Sequence, residues 1–491
     1  MVSDFCRRIK LYGGRQAPQK RGGRSARAEV AGRIHEVGED TAPAAGSFTK
    51  NPATRLRESW KILRTGAVGV VGLKHRRHLS MNPPPDFSRR RFLGTAFAST
   101  AVAGVVQTIQ TRAAEETPAA PVKFDRKIKL GLIGCGGRGA WLGGLFKQHG
   151  GYEIHATADY FQDSADKAGD ALGVDKSRRF SGLSAYKRLI ESGVEAVTVV
   201  NIPRFHAEHA KAAIEAGCHV YAAKPVAIDV PRALSIQATG KLATEKKLVH
   251  FVDYQMPTDP VNIEVVKRIH EGALGKLMHV DSLGFSGVWP DPADRNPENL
   301  LRHGNWLTAI PLSGDFIVEY SIHTIDAVLW AVGKRPVKAT GKTRRCRANA
   351  QGDGREVYVV TYEFDDGLVW THRCQALNNV QDNLIRCEVY GDAAYAHINY
   401  WGKSYLRGGK QQFGGGPIDS LYDKGAIRNI ATFHQNILSN DFTNPTVQQA
   451  VDDALTAVLG REAAARGKEL TMEEIIAENQ ELAFDTTGLK V

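Results

Sequence analysis

Lys224 stands between a short apolar run, residues 218–222, and Pro225, where an amine is awkward to solvate and needs a partner. Farther along, Glu319 and His323 are spaced i and i+4, and Asp326 lies one turn beyond His323. A carboxylate beside an imidazole sets its orientation and raises its basicity. On a continuous helix this spacing predicts that Glu319 favours the protonated form of His323. His323 is then suited to take a proton from a hydroxyl, and Lys224 to hold the same oxygen while negative charge develops there. The competing reading of the same residues is a surface ion pair with a satisfied histidine and an exposed turn lysine.

A second constellation lies nearer the start. Gly134-Cys135-Gly136-Gly137-Arg138-Gly139 follows an apolar strand-like run and opens helical text, with the spacing G-x-G-x-x-G. Gly134 allows a tight turn, Gly136 close approach of backbone to a pyrophosphate, and Gly139 close contact of helix and strand. The helix start then receives the phosphates. Asp159 ends the next strand-like run, placed to bond an adenosine ribose and to repel a 2′-phosphate, which predicts NAD over NADP. Asn201, Pro203 and His206 follow a third run and Lys224 a fourth. All of these positions fall at the carboxyl edge of one sheet and are expected to line the cofactor.

The elements needed to carry these residues are legible. Runs 128–133, 152–158, 196–200, 218–222 and 248–252 are short and apolar and alternate with helical text, as in 206–216, which stops at Gly217. Alternation of this kind over residues 127–253 predicts a doubly wound parallel sheet, a Rossmann α/β domain. Beyond residue 254 the rhythm changes to one helix over 261–271 and strands over 277–285, 337–343, 357–364, 368–375, 383–390 and 394–398. Asp365-Asp366-Gly367 is a hairpin turn between two of them. Residues 254–426 are expected to form an α+β domain on a mostly antiparallel sheet, and residues 427–491 C-terminal helices near 427–439 and 447–466.

Together the glycine turn, Pro203-x-x-His206, the 212–220 stretch, Lys224-Pro225 and the 314–326 segment resemble the glucose-fructose oxidoreductase and inositol dehydrogenase family. In that segment His323 and Asp326 match the family's G-G-x-L-x-D-x-G-x-H-x-x-D pattern. Glu319 stands where an Asp is usual, and Ala223 replaces the Glu of E-K-P. The resemblance covers residue 127 to the C-terminal helices. It implies an open-faced second sheet, a homo-oligomer by analogy, and NAD-dependent oxidation of a secondary hydroxyl on a sugar or other polyol. Catalytic Lys224, Glu319 and His323 and substrate contacts from Lys224, His323 and Asp326 are part of that expectation. Some relatives instead hydrolyse glycosides by transient oxidation of a ring hydroxyl, although those carry valine in the position of Lys224. A non-catalytic sugar-binding protein would leave Lys224 and His323 idle.

The 491-residue chain has a formal charge of +11, and this excess lies in residues 1–80, which hold 17 Lys and Arg against 6 Asp and Glu. No aromatic interleaving or periodic apolar face accompanies them, so nucleic acid is not an expected partner. Ser88-Arg89-Arg90-Arg91-Phe92-Leu93 opens an apolar, small-residue stretch that runs to about residue 109, and Thr111-Arg112-Ala113-Ala114 after it is a small-residue site where a signal peptidase could cut. Residues 81–114 read as a twin-arginine signal peptide, which implies the twin-arginine export machinery as a partner and a periplasmic location. Gly, Ser, Thr and Gln interrupt the stretch, which argues against a membrane anchor. Signal peptides belong at chain starts, so translation is expected to begin at Met81, with residues 1–80 a gene-model artefact. Residues 115–126 are a Pro/Ala/Glu linker. The six cysteines form no CxxC pair and no zinc spacing, and no metal is expected.

Overall fold

Six short runs pair in parallel, most of them apolar on both faces, as strands covered by helices on either side must be. They are β1 (Ile128–Ile133), β2 (Tyr152–Asp159), β3 (Arg179–Ser181), β4 (Ala196–Val199), β5 (His219–Ala223) and β6 (His250–Asp253). The computed structural model describes residues 124–491, positions 303, 349, 380 and 381 excepted. The basic segment 1–80, the expected signal peptide 81–114 and most of the expected linker lie outside the described residues. Strand order is β3-β2-β1-β4-β5-β6. The order reverses between β1 and β4, so the loops after these strands flank a crevice at the carboxyl edge. Five helices complete the layer: α1 (Gly137–His149), α2 (Gln162–Leu172), α3 (Ala185–Glu191), α4 (His206–Glu215) and α5 (Val230–Glu245).

Helix α6 (Pro260–His270) leads into a nine-stranded sheet. Its strands are β7 (Leu277–Ser286), β8 (Lys338–Arg344), β9 (Val357–Glu363), β10 (Val369–Ala376), β11 (Leu384–Gly391), β12 (Ala394–Asn399), β13 (Gly402–Gly408), β14 (Phe413–Ile418) and β15 (Leu470–Thr471). They run in the order β14-β13-β12-β11-β7-β10-β9-β8-β15, with β7 and β10 parallel and the other pairs antiparallel. Period-two alternation is clear in β9, where Tyr358, Val360 and Tyr362 are buried and Val359 is exposed. Four strands were not expected from sequence: β3 and β15, which are only three and two residues long, and β13 and β14. In the last two, glycines at 402, 408 and 414–416 interrupt the apolar pattern, and pairing of β13 to β12 and of β14 to β13 supplies what local propensity lacks.

The expected helix over 314–326 is two pieces, α7 (Phe316–Glu319) and α8 (Ile322–Val332). Asp315 enters α7 at φ +80°, and its carboxylate caps the Phe316 N–H at 2.8 Å. The break at Tyr320 and Ser321 is fixed from outside: Tyr320 Oη donates to the Phe285 carbonyl at 2.9 Å, and Ser321 Oγ lies 2.9 Å from His372 Nε2. Helix α9 (Leu421–Ser439) packs on α1, and α10 (Pro445–Arg466) lies against α5 and β6 of the first domain and against α8, β8 and β9 of the second. Within α10, buried Arg461 donates through Nη1 to the carbonyls of Ile228 (2.7 Å) and Gly314 (3.1 Å), one from each domain. A short helix, α11 (Met472–Glu478), precedes the C-terminal segment. No helix among the described residues is long and apolar enough to cross a membrane.

Candidate active site

The glycine turn has the shape a pyrophosphate requires. Gly134 sits at φ +94°, and a Cβ there would lie 2.6 Å from the Asn201 nitrogen. A Cβ on Gly139 would meet the Gly134 carbonyl oxygen at 1.8 Å, so neither position accepts a side chain. Cβ atoms on Gly136 and Gly137 would point into open space, which keeps the backbone approachable where α1 begins. The first turn of α1 has no acidic residue to neutralise its positive end. Asn201 adds a buried side-chain oxygen with no partner. These features fit a dinucleotide.

Asp159 is tied to this turn: Oδ2 accepts from the Cys135 N–H at 2.8 Å and Oδ1 from the Phe161 N–H at 3.0 Å. The carboxylate is thereby held where the adenosine ribose would lie. Asp159→Ala is expected to weaken NAD by roughly 1.5–3 kcal/mol, about one hydrogen bond to a charged group, and to narrow its preference over NADP. Titrating both nucleotides checks this, and an unchanged NAD/NADP ratio rules the role out.

Two residues expected beside the cofactor are engaged otherwise. His206 is buried with Nδ1 2.9 Å from the Pro225 carbonyl and Nε2 2.9 Å from the Asn201 carbonyl, and burial lowers its pKa to about 4. It is a neutral strut joining the loops after β4 and β5, beside buried Pro203, and has no free ring nitrogen for a cofactor. Arg138 turns away from the glycine turn toward the end of β6. There it pairs with fully buried Asp253 and lies over the rings of Trp141 (5.5 Å) and Tyr422 (5.3 Å). Asp253 also accepts from Asn429 Nδ2 at 2.8 Å, which docks α9 on the same cluster. Sequence reasoning missed Asp253, although an acid ending an apolar strand at the carboxyl edge was a visible signal.

Lys224 and the second domain meet at the end of β5. Lys224 Nζ donates to the Glu319 backbone carbonyl at 2.6 Å and to Glu319 Oε1 at 3.1 Å. Burial lowers the Lys224 pKa, and the Glu319 carboxylate opposes that shift. The break between α7 and α8 thus corrects the expected Glu319–His323 pair: Glu319 serves the lysine. The His323 ring meets the edges of Tyr254 and Tyr400, with centroids 6.3 and 5.5 Å away, and its Nδ1 has no partner. Burial first, then the positive charges of Lys224 and Arg138, drive its pKa well below 6.5. The imidazole is held neutral, the reverse of the effect expected from a neighbouring carboxylate.

Asp326 does not reach this cleft, so the substrate contact expected of it is withdrawn. It is buried on the inner face of α8 against Asp453 of α10, which accepts from Gln449 Nε2 at 3.0 Å. Burial pushes Asp326 up to about 8 and moves Asp453 the same way, with the Asp326 charge adding to the latter shift. The folded state therefore keeps protons that the unfolded chain releases near the ordinary value of 3.8, and stability falls as pH rises from about 4 to 8. Asp326→Asn, which cannot ionise, is expected to melt above the parent near pH 8.5, with the difference shrinking near pH 5. Parallel melting curves across that range would refute the assignment.

Residues 128–254 match the oxidoreductase family with an NAD-binding Rossmann fold, and residues 263–397 match the GFO/IDH/MocA C-terminal domain, together more than half of the chain. Inositol 2-dehydrogenase 4 of Saccharopolyspora erythraea is 25% identical over 336 residues, 67% of this chain and 84% of that protein. A glycosyl hydrolase family 109 protein of Streptomyces coelicolor is 25% identical over 213 residues, 40% of this chain and 44% of that protein. The fold matches the crystal structure of levoglucosan dehydrogenase in complex with NADH and L-sorbose with a TM-score of 0.59 at 18% identity, over 71% of this chain and 100% of that one. With its glycine turn, its two sheets and both matched domains in chain order, the chain belongs to the GFO/IDH/MocA family of NAD-binding oxidoreductases.

Proposed function

We propose that the protein oxidises a secondary hydroxyl of a sugar or cyclitol with NAD. The observation that carries this reading is the meeting of Lys224, from the first domain, with Glu319 and His323 of the second at the carboxyl edge where the cofactor crevice opens. NAD, when bound, supplies the hydride acceptor. Neutral His323 takes the hydroxyl proton, the Lys224 ammonium holds the oxygen as it becomes a carbonyl, and Glu319 keeps that ammonium charged and aimed. Trp401 packs on Tyr400 at 4.6 Å and is 41% exposed. An exposed aromatic beside a polar cleft suits the apolar face of a sugar ring.

Redox-neutral glycoside hydrolysis is a second reading, supported by the family 109 relative. The twin-arginine pattern at 88–93 supports export to the periplasm. The outer face of the second sheet, where Val359 and Val369 stay exposed among the described residues, suits pairing with a second copy. Denaturing the purified protein, identifying any released nucleotide and screening sugars, cyclitols and glycosides tests the chemistry. Accumulating NADH supports the dehydrogenase. Glycoside cleavage without net NADH selects the second reading, and neither activity with a bound nucleotide present overturns both.

A further inference from the structure

After α11 the chain does not leave the protein. It runs along the carboxyl edge of the parallel sheet, from the start of α5 to the ends of β2 and β3. The Glu481 carboxylate meets Arg232 at 2.8 Å, and the Leu482 N–H donates to Asp229 Oδ2 at 3.0 Å. Arg204, in the loop after β4, donates to the Leu482 carbonyl and lies over the Phe484 ring at 5.7 Å. Farther on, the Lys490 N–H donates to Tyr160 Oη at 3.1 Å, its Nζ to Ser181 Oγ at 2.6 Å, and its carbonyl accepts from the Leu183 N–H at 2.8 Å. Leu489 is buried in a separate apolar cluster with Leu300, Leu301, Ala309 and Leu312 of the second domain, and Tyr160, Phe161, Ile202, Phe205 and Phe484 pack against it.

The loops after β2 and β4, at the carboxyl edge of the parallel sheet, each contribute to that cluster. The open glycines 136 and 137 place the pyrophosphate, and Asp159 places the adenosine ribose. The adenine must then lie beyond Asp159, between the loop that carries Tyr160 and Phe161 and the loop that carries Ile202 and Phe205. Phe484 and Leu489 pack on those same two loops.

We propose that segment 481–490 is the outer wall of the adenine site and sets the rate at which the nucleotide leaves. This rests on the dinucleotide reading of the crevice. Exchange requires the segment to lift, which exposes Phe484 and Leu489 and breaks the ties to Arg204, Tyr160 and Leu183. Every one of these contacts lies away from Lys224 and His323, so the segment governs residence of the cofactor and not the chemical step.

The test measures NADH release from the full chain by stopped-flow fluorescence, chasing bound NADH with excess NAD. Phe484→Ala/Leu489→Ala is expected to release NADH at least ten times faster, with its melting temperature within a few degrees of the parent. A chain ending at Gln480 is expected to release it faster still. Release at the parent rate in either variant that folds overturns the proposal. If the shortened chain fails to fold, the double substitution decides alone. Absence of NADH binding by the parent protein would instead sink the dinucleotide reading, a result that unchanged release cannot mimic.

Discussion

His323→Ala is expected to lower turnover by about 10²–10⁴-fold, the usual size of general acid–base catalysis, while NAD affinity stays within a few-fold of the parent. His323 is on α8 of the second domain, and the glycine turn and Asp159 are in the first, so the substitution leaves the dinucleotide contacts in place. The pH profile distinguishes a base from a packing residue. With its pKa driven well below 6.5 by burial and by two nearby cations, His323 is neutral at pH 7, and the acid limb of kcat/KM belongs below 6.5. That limb should vanish in His323→Ala. Normal turnover of this variant on the true substrate would overturn the mechanism and leave fold and cofactor untouched.

Lys224→Ala is expected to cost about 10²–10³-fold in kcat, comparable to the loss of one donor to a developing oxyanion. Lys224→Arg should not rescue it, because a planar guanidinium cannot reproduce a compact ammonium that must meet both the Glu319 carbonyl and Glu319 Oε1. Glu319→Gln gives a subtler result with a definite sign. Removing an anion beside a buried cation lowers the pKa of the cation further, so the alkaline limb of the profile should move to lower pH while NAD affinity is unchanged. An alkaline limb that stays in place would show that Glu319 does not support Lys224.

The parts of the site that were legible in sequence are those dictated by short-range geometry. A glycine turn between strand and helix declares itself, because Gly134 is held at φ +94° and Gly139 is kept from bearing a side chain by the Gly134 carbonyl, five residues away. Lys224 was visible as a charge stranded between an apolar strand and a proline. What was misread depended on contacts made at long range. The i,i+4 relation of Glu319 and His323 presumes an unbroken helix, and His372 and Phe285, far along the chain, break it at Ser321 and Tyr320. The Arg138–Asp253 pair joins residues 115 positions apart. Asp326 carried the right spacing for the cleft but faces Asp453 of α10, a partner that no local pattern announces.

Arg461 constrains how a substrate can enter. One guanidinium nitrogen holds a carbonyl on each side of the domain boundary, and it sits on a helix that packs against both sheets. Hinging the domains apart would break one of these hydrogen bonds to a buried cation, a loss of about 1.5–3 kcal/mol, while the Glu462 carboxylate stays with it. The two sheets are therefore expected to behave as one block through the catalytic cycle. Access to the cleft then depends on side chains and short segments at its rim, and the radius of gyration should be the same with and without nucleotide.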